Sequence, residues 1–251
     1  MLLAVAVLGA VTAVAVAARW AAHRVDALGR SRSFPVVGTA LPLLVALAAG
    51  VPVVRHANLE SRLDDVAGVL AGHPVKVRCE TLTQSWLDAH AELGYVRFDA
   101  AGRPEPLATL TVDACHDLGA WIGSDHRHPS LPQIVAVHVL THEAMHLTGQ
   151  RDEARTECAA VQRDVRTATL LGATPDQARQ LATAYWQLVY PGLSPAYRSA
   201  ECGPGRAWDE GADDAPWLDV KPSENKSFDR LQVTSSQDDH RGVVAHRRRS
   251  F

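Results

Sequence analysis

Two long uncharged stretches open the chain, at residues 2–18 and 34–54. A helix needs about 20 apolar residues to cross a bilayer, so the second stretch is long enough and the first is marginal. The alternative for the first is a secretory leader, but no basic segment precedes it and no small-residue cleavage signal follows it. We therefore predict a transmembrane helical hairpin over residues 1–56, with helices at about 2–18 and 34–54.

The loop between the two stretches is basic, with four arginines and a single aspartate, which are Arg19, Arg24, Arg30, Arg32 and Asp26. Basic loops stay on the cytoplasmic side of a membrane. This pattern predicts a protein of the cell membrane whose remaining residues, after position 54, are extracytoplasmic.

Beyond the hairpin the period of the apolar positions changes several times. Residues 58–70 form a charged, helix-compatible connector, and "PVKVRCE" alternates apolar and polar residues as a half-buried strand does. "GYVRFDAAGRP" predicts a strand running into a turn, and "LATLTV" at 107–112 predicts another. "LTQSWLDAHAEL" predicts a helix that stops at Gly94.

Four further helices follow, and their ends carry recognisable capping residues. Asp113 is the expected N-cap of the first, and Ser130 with Gln133 forms a capping box for a helix that runs to Gly149. A single helix is expected over 152–171, and Thr174 caps the last. We predict a mostly helical α+β domain with a short sheet over residues 57–205, and a disordered tail over 206–251, where no core periodicity remains.

Charge and cysteine content narrow the function classes. The net charge of -3 gives no sign of a nucleic-acid surface. All four cysteines follow the second apolar stretch, and an even number in an oxidising compartment favours two disulfides. Sequence order favours Cys79 with Cys115 and Cys158 with Cys202, although three pairings, and four reduced thiols, remain open.

The segment "VLTHEAMHLTG" holds the candidate chemistry. On a helix His142 and His146 share a face and can bind one ion, with Glu143 beside that ion. A hydrolytic zinc site needs two such imidazoles, a third protein ligand, a water molecule and a carboxylate that accepts its proton. The alternative is that two helix histidines are neighbours by accident.

"HEAMHLTGQRDEARTE" resembles the active-site segment of the zincin metallopeptidases. A metzincin-like pattern would recruit Asp152 as third ligand, but the methionine turn of those enzymes has no match, since the only methionines are Met1 and Met145. The gluzincin pattern fits "EARTE", and implies that Glu153 is the zinc ligand and that Glu157 accepts a hydrogen bond from a ligand imidazole. We rank Glu153 first, Glu157 second and Asp152 third.

The same resemblance implies a mechanism. A sheet edge, for which 107–112 is our candidate, would hold an extended peptide substrate while Glu143 acts as general base. A tyrosine could stabilise the oxyanion, and Tyr185, Tyr190 and Tyr197 are the candidates.

His138 lies one turn before His142. Three successive positions of this spacing on a straight helix cannot all reach one tetrahedral ion, so we expect His138 to be packed or hydrogen-bonded.

The sequence therefore predicts a membrane-anchored zinc metallopeptidase. The alternative is a non-catalytic, zincin-derived binding or structural module of the cell envelope. Glu143 separates the two, because a structural site does not need that carboxylate.

Overall fold

The computed structural model describes residues 1–25, 29–80 and 93–217 of the chain. Most of the helix predicted at 82–93 and most of the predicted tail lie outside these ranges. Helix α1 spans Leu2–Ala22 and helix α2 spans Val36–Ala71, and both are long and apolar enough to cross a membrane. The two helices pack antiparallel, since Ala6 faces Gly50 and Val16 faces Gly38. A Cβ at Gly9 would lie 2.7 Å from the carbonyl oxygen of Pro42, so this glycine permits the close approach.

Helix α2 is much longer than its apolar stretch. The connector predicted at 58–70 is its continuation, and the predicted domain boundary at residue 56 falls inside it. Leu63, Val66 and Leu70 are buried against the domain, and Gly72, with φ 78°, ends the helix in a left-handed conformation. One unbroken helix therefore joins the apolar hairpin to the core of the domain.

The sheet has three strands among the described residues: β1 (Lys76–Cys79), β2 (Gly94–Phe98) and β3 (Pro104–Leu110). Their order is β1-β3-β2, with β3 parallel to β1 and antiparallel to β2. The expectation that residues 107–112 form a free edge is wrong, because β3 pairs on both sides. Among the described residues, β2 pairs with β3 alone, so β2 lies at an edge of the sheet instead.

Helix α3 (Val112–Ile122) begins two residues earlier than expected, because the Thr111 side chain, and not Asp113, accepts the hydrogen bond from the amide of Ala114. Helix α4 spans Leu131–Leu147 and starts at the predicted capping box of Ser130 and Gln133. Its second half is almost wholly buried, which makes it the central helix of the domain.

The helix expected at 152–171 is two helices, α5 (Glu153–Val161) and α6 (Asp164–Leu170). At the break, Gln162 turns its side-chain amide to the carbonyl oxygen of Trp208, at 3.0 Å. Helix α7 (Pro175–Ala184) starts at the predicted Thr174 cap and continues into a π-helical turn at Tyr185–Val189 and a 3-10 turn at Tyr190–Gly192.

Both predicted disulfides are confirmed. Cys79 is bonded to Cys115, and Cys158 to Cys202. The second bridge holds the segment after α7 against α5. The ordered part also extends further than predicted, because Trp217 is buried and Trp208 accepts the hydrogen bond from Gln162.

Candidate metal centre

The two histidines of the motif point at a common position. His142 and His146 lie one turn apart on α4, and their Nε2 atoms are 3.0 Å apart. Glu153, the first residue of α5, places its Oε2 atom 3.2 Å from Nε2 of His142 and 3.3 Å from Nε2 of His146. The three atoms form a nearly equilateral triangle.

The hydrogen bonds made by the two Nδ1 atoms determine whether each Nε2 atom can present a lone pair. Nδ1 of His146 is 2.8 Å from the carbonyl oxygen of Gln150, which only accepts, so this nitrogen carries the proton. Gly149, with φ 101°, turns the chain so that this carbonyl faces back towards α4. Nδ1 of His142 likewise faces Oε2 of Glu157, at 3.0 Å. Neutral imidazoles held in this way direct their Nε2 lone pairs towards the Glu153 carboxylate.

Three electron-rich atoms at this spacing need a proton or a cation between them. In a tetrahedral zinc site with bonds of roughly 2.0–2.1 Å, ligand atoms lie about 3.3 Å from each other. The separations of 3.0, 3.2 and 3.3 Å match that edge length. The donor set of two imidazoles and one carboxylate is also one that zinc accepts.

Glu157 lies behind His142 and not beside the triangle. Its Oε2 also faces Nε2 of His138, at 2.9 Å, and its Oε1 accepts a hydrogen bond from the hydroxyl of Tyr185, at 2.7 Å. Nδ1 of His138 is 2.8 Å from Oδ2 of Asp164. Both nitrogens of His138 therefore donate to carboxylates, which makes the ring a cation. The expectation that His138 is hydrogen-bonded is confirmed.

The pKa values reflect this arrangement. Burial disfavours the charged form of His138, but Asp164 and Glu157 outweigh it and raise its pKa to about 10. For His142, burial is outweighed by hydrogen bonds to Glu153 and Glu157, which raise its pKa to about 9. The two motif histidines lower the pKa of Glu153 to about 2.

A second set of potential ligand atoms exists at His138, His142 and Glu157. Its side chains are more deeply enclosed, with 3% exposure for His138 and Glu157. Its contacts are also complete as hydrogen bonds from N–H groups to carboxylate oxygens. In the first set, Glu153 is 41% exposed, so an ion has access to it. The set of His142, His146 and Glu153 is therefore the better metal centre.

Glu143 lies next to the triangle, buried under the first residue of β2. A Cβ at Gly94 would lie 3.0 Å from Oε1 of Glu143 and 2.9 Å from the Leu110 side chain. The Glu143 carboxylate also acts electrostatically on His142, where it favours the charged ring. The absence of a side chain at Gly94 thus leaves the room that Glu143 occupies.

These groups line a cavity of about 610 Å³. Strand β2 contributes Tyr95, Val96 and Phe98 to the lining, and α4 and the segment after α7 contribute the apolar residues Val135, Val139, Val189 and Leu193. A volume of this order accommodates a few residues of an extended peptide.

The structure also gives the positions of the other candidate residues, Asp152 and the three tyrosines. The Asp152 carboxylate accepts the amide hydrogen of Arg155 and caps α5, so it does not join the triangle. The Tyr190 hydroxyl bonds the backbone of Ser199, and that of Tyr185 bonds Glu157. Of the three tyrosines, Tyr197 is half-buried in the cavity wall, with its ring centroid 5.9 Å from that of His142.

Sequence reasoning missed the part played by Asp164, Gly94 and the Gln150 carbonyl. Asp164 follows Glu157 by seven residues, a spacing that would put both on one face of the single helix expected at 152–171, and this is a usable signal. Gly94 and Gln150 have no such signal, because their roles depend on tertiary contacts.

Neither the known protein families, nor the curated proteins, nor the solved structures contain a match to this chain.

Proposed function

We propose that this chain is a membrane-anchored, zinc-dependent metallopeptidase of the zincin type. The observation that supports it best is the triangle formed by Nε2 of His142, Nε2 of His146 and Oε2 of Glu153, with the Glu143 carboxylate beside it. A purely structural site has no use for a buried carboxylate beside the three ligand atoms.

Zinc, when bound, supplies Lewis acidity, which polarises a peptide carbonyl and acidifies a water molecule. Glu143 then takes a proton from that water and passes it to the leaving amine. Glu157 accepts the proton on Nδ1 of His142, so Nε2 is the nitrogen that would bind metal. Tyr197 is the tyrosine best placed to donate to the developing oxyanion, since it lines the cavity and the hydroxyl of Tyr185, which also lines it, donates to Glu157.

Strand β2 is the proposed docking edge for the substrate. It is an outer strand of the described sheet, and four of its five residues line the cavity. An extended peptide that pairs with β2 would pass over the two histidines. This edge takes the place of the one expected at 107–112.

Membrane anchoring and an extracytoplasmic domain are also part of the proposal. Helices α1 and α2 expose large apolar side chains on most of their surface, such as Leu8, Val14 and Val37. The basic loop argues for a cytoplasmic turn, and the pairing of all four cysteines fits an oxidising compartment.

The test is zinc content and peptide hydrolysis of the full chain in detergent, measured for wild type, Glu143→Gln, His146→Ala and Glu153→Ala. We expect about one zinc per chain in wild type and Glu143→Gln. Hydrolysis should fall roughly 10²- to 10⁴-fold in Glu143→Gln, because the general base is lost. His146→Ala should lose zinc and activity together. His116→Ala is the control, because that side chain is 79% exposed on α3.

Either of two results would contradict the proposal. A folded wild type that takes up no stoichiometric zinc would exclude the metal centre. A zinc-loaded wild type with no more hydrolysis than Glu143→Gln would leave the non-catalytic envelope module.

A further inference from the structure

The charges around the cavity are unevenly distributed. Glu143, Glu153 and Glu157 surround the histidines, and all three are carboxylates. Among the described residues that line the cavity, Arg151 is the only arginine or lysine. It lies on the short link between α4 and α5, on the solvent-exposed side of the cavity. His138, which donates to two carboxylates, and a bound zinc ion would offset these negative charges, so Arg151 adds a positive charge at its own end of the cavity that attracts an anionic group on a bound peptide.

The Arg151 side chain is held in place without a carboxylate. Its Cζ lies 5.5 Å from the ring centroid of Phe98 in β2, and its Nη1 lies 2.9 Å from where a Cβ of Gly102 would be. Among the described residues it makes no ion pair, whereas Arg103 pairs with Asp99 and Arg163 with Glu210. The N–H groups of its guanidinium remain available for a ligand.

The distance from Arg151 to the metal centre sets which part of a peptide it reaches. The Phe98 ring centroid is 6.1 Å from that of His146, so Cζ of Arg151 lies no more than about 12 Å from the His146 ring. An extended chain advances about 3.3 Å per residue. A peptide along β2 therefore brings one of the first three residues beyond the metal to the guanidinium.

We infer that the cavity selects peptides that carry a carboxylate within three residues of the bond at the metal, and that Arg151 binds it. This inference rests on the proposed metallopeptidase function. The carboxylate has two sources, the free C-terminus of a short peptide or an Asp or Glu side chain. A guanidinium binds either through two parallel hydrogen bonds.

The experiment uses the zinc-loaded full chain with Glu143→Gln, so that binding is measured without turnover. Three fluorescent peptides share one apolar sequence: the first has a free C-terminus, the second an amidated C-terminus, and the third is amidated with Glu as its penultimate residue. Affinities are measured by anisotropy in the Glu143→Gln background alone and with Arg151→Gln, Arg151→Lys or Arg155→Gln added. Arg155 is the matched control, because its guanidinium also lies 5.5 Å over an aromatic ring, that of Trp208, but it does not line the cavity.

We expect the free or the acidic peptide to bind roughly tenfold more tightly than the neutral one. Arg151→Gln should remove this preference, Arg151→Lys should restore part of it, and Arg155→Gln should leave it unchanged. The peptide that gains affinity identifies the source of the carboxylate.

Equal affinities for the three peptides, or a preference that survives Arg151→Gln, would overturn the inference. So would a failure of all three to bind. The proposed function is judged separately, by zinc content and by hydrolysis in the chain that retains Glu143. A zinc-loaded, active enzyme without carboxylate preference would overturn only the role of Arg151.

Discussion

Gly94 controls the space available to the Glu143 carboxylate. Its φ is ordinary, so the glycine is needed there for room and not for backbone conformation. We expect Gly94→Ala to push Glu143 away from the metal centre and to lower turnover by about tenfold to 100-fold, since misplacement of about 1 Å has effects of that order. Zinc content should not change, because no metal ligand is touched.

Gly192→Ala is the matched control for that prediction, because nothing lies within 4 Å of a Cβ added there. Turnover numbers and zinc content of the two variants are compared side by side. Equal turnover in Gly94→Ala and Gly192→Ala would show that the position of Glu143 does not depend on Gly94.

The pKa of His142 predicts how zinc affinity depends on pH. In the metal-free protein its pKa is raised from 6.5 to about 9, so at neutral pH Nε2 carries a proton that zinc must displace. Affinity should therefore rise about tenfold per pH unit between pH 7 and 9, and level off above the folded-state pKa. The charged ring stabilises the metal-free fold below pH 6.5, and this stabilisation is lost as the pH passes 9.

Titration of the metal-free protein against a competing chelator at several pH values measures this dependence. Glu153→Gln removes one of the three carboxylates that stabilise the charged ring, so its affinity should be weaker and its slope flatter. An affinity that is constant between pH 7 and 8.5 in wild type would contradict the prediction.

Single residues of the site differ in how far the sequence reveals them. His142, His146 and Glu143 follow from helical spacing alone, and resemblance suggested Glu153 before geometry placed it beside them. Arg151 and Gly94 become meaningful only once β2 lies over α4. No local sequence pattern predicts the contact between β2 and α4.

The packing of α5 and α6 against α4 creates the buried chain from Asp164 through His138 and Glu157 to His142. His138→Gln removes the cation between two buried carboxylates, and we expect it to weaken zinc binding by about 10- to 100-fold, the usual effect of losing a partner of a metal-binding histidine. Asp164→Asn should act in the same direction, because it weakens the charge on His138.

The zinc dissociation constants of the two variants test this network. Circular dichroism checks that both variants are folded. Cobalt substitution adds a spectrum that is sensitive to ligand geometry. His116→Gln serves as control, because this exposed histidine of α3 lies outside the network. Unchanged zinc affinity in both folded variants would limit His138 and Asp164 to packing.

At the level of elements, local signals placed helix starts well. The capping box at Ser130 and the N-cap at Thr174 were identified from the sequence, and both are present. Three features were not predicted, because each depends on residues that are distant in the sequence. They are the central place of β3 between two strands, the break after α5 where Gln162 reaches Trp208, and the continuation of α2 into the domain. Periodicity shows that an element exists, but it does not show what lies on either side.

For the molecule as a whole, the apolar front and the mixed helical and sheet domain were predictable from pattern and composition. The disulfide pairing was correct, although neighbouring order was its only support. The chain beyond residue 205 could not be judged by composition, because Trp208 and Trp217 contribute to the packing in spite of their polar neighbours.

Under the proposed membrane topology, the continuous helix α2 would determine how far the metal centre lies from the membrane. From Arg55 to Ala71 it contains no proline, and at 1.5 Å per residue it rises about 24 Å. Just past its end, Nε2 of His73 lies 3.2 Å from the carbonyl oxygen of Leu147, the neighbour of His146. With residues 34–54 in the bilayer, as in the proposed topology, this part of α2 would hold the Leu147 end of α4 about 24 Å from the lipid surface. Pulsed electron resonance between a spin label at Gly149 and labelled lipid headgroups would measure that separation. Bonds at the headgroups would then be out of reach, and the protein would act on loops, tails and free peptides that extend some two nanometres into the space outside the membrane.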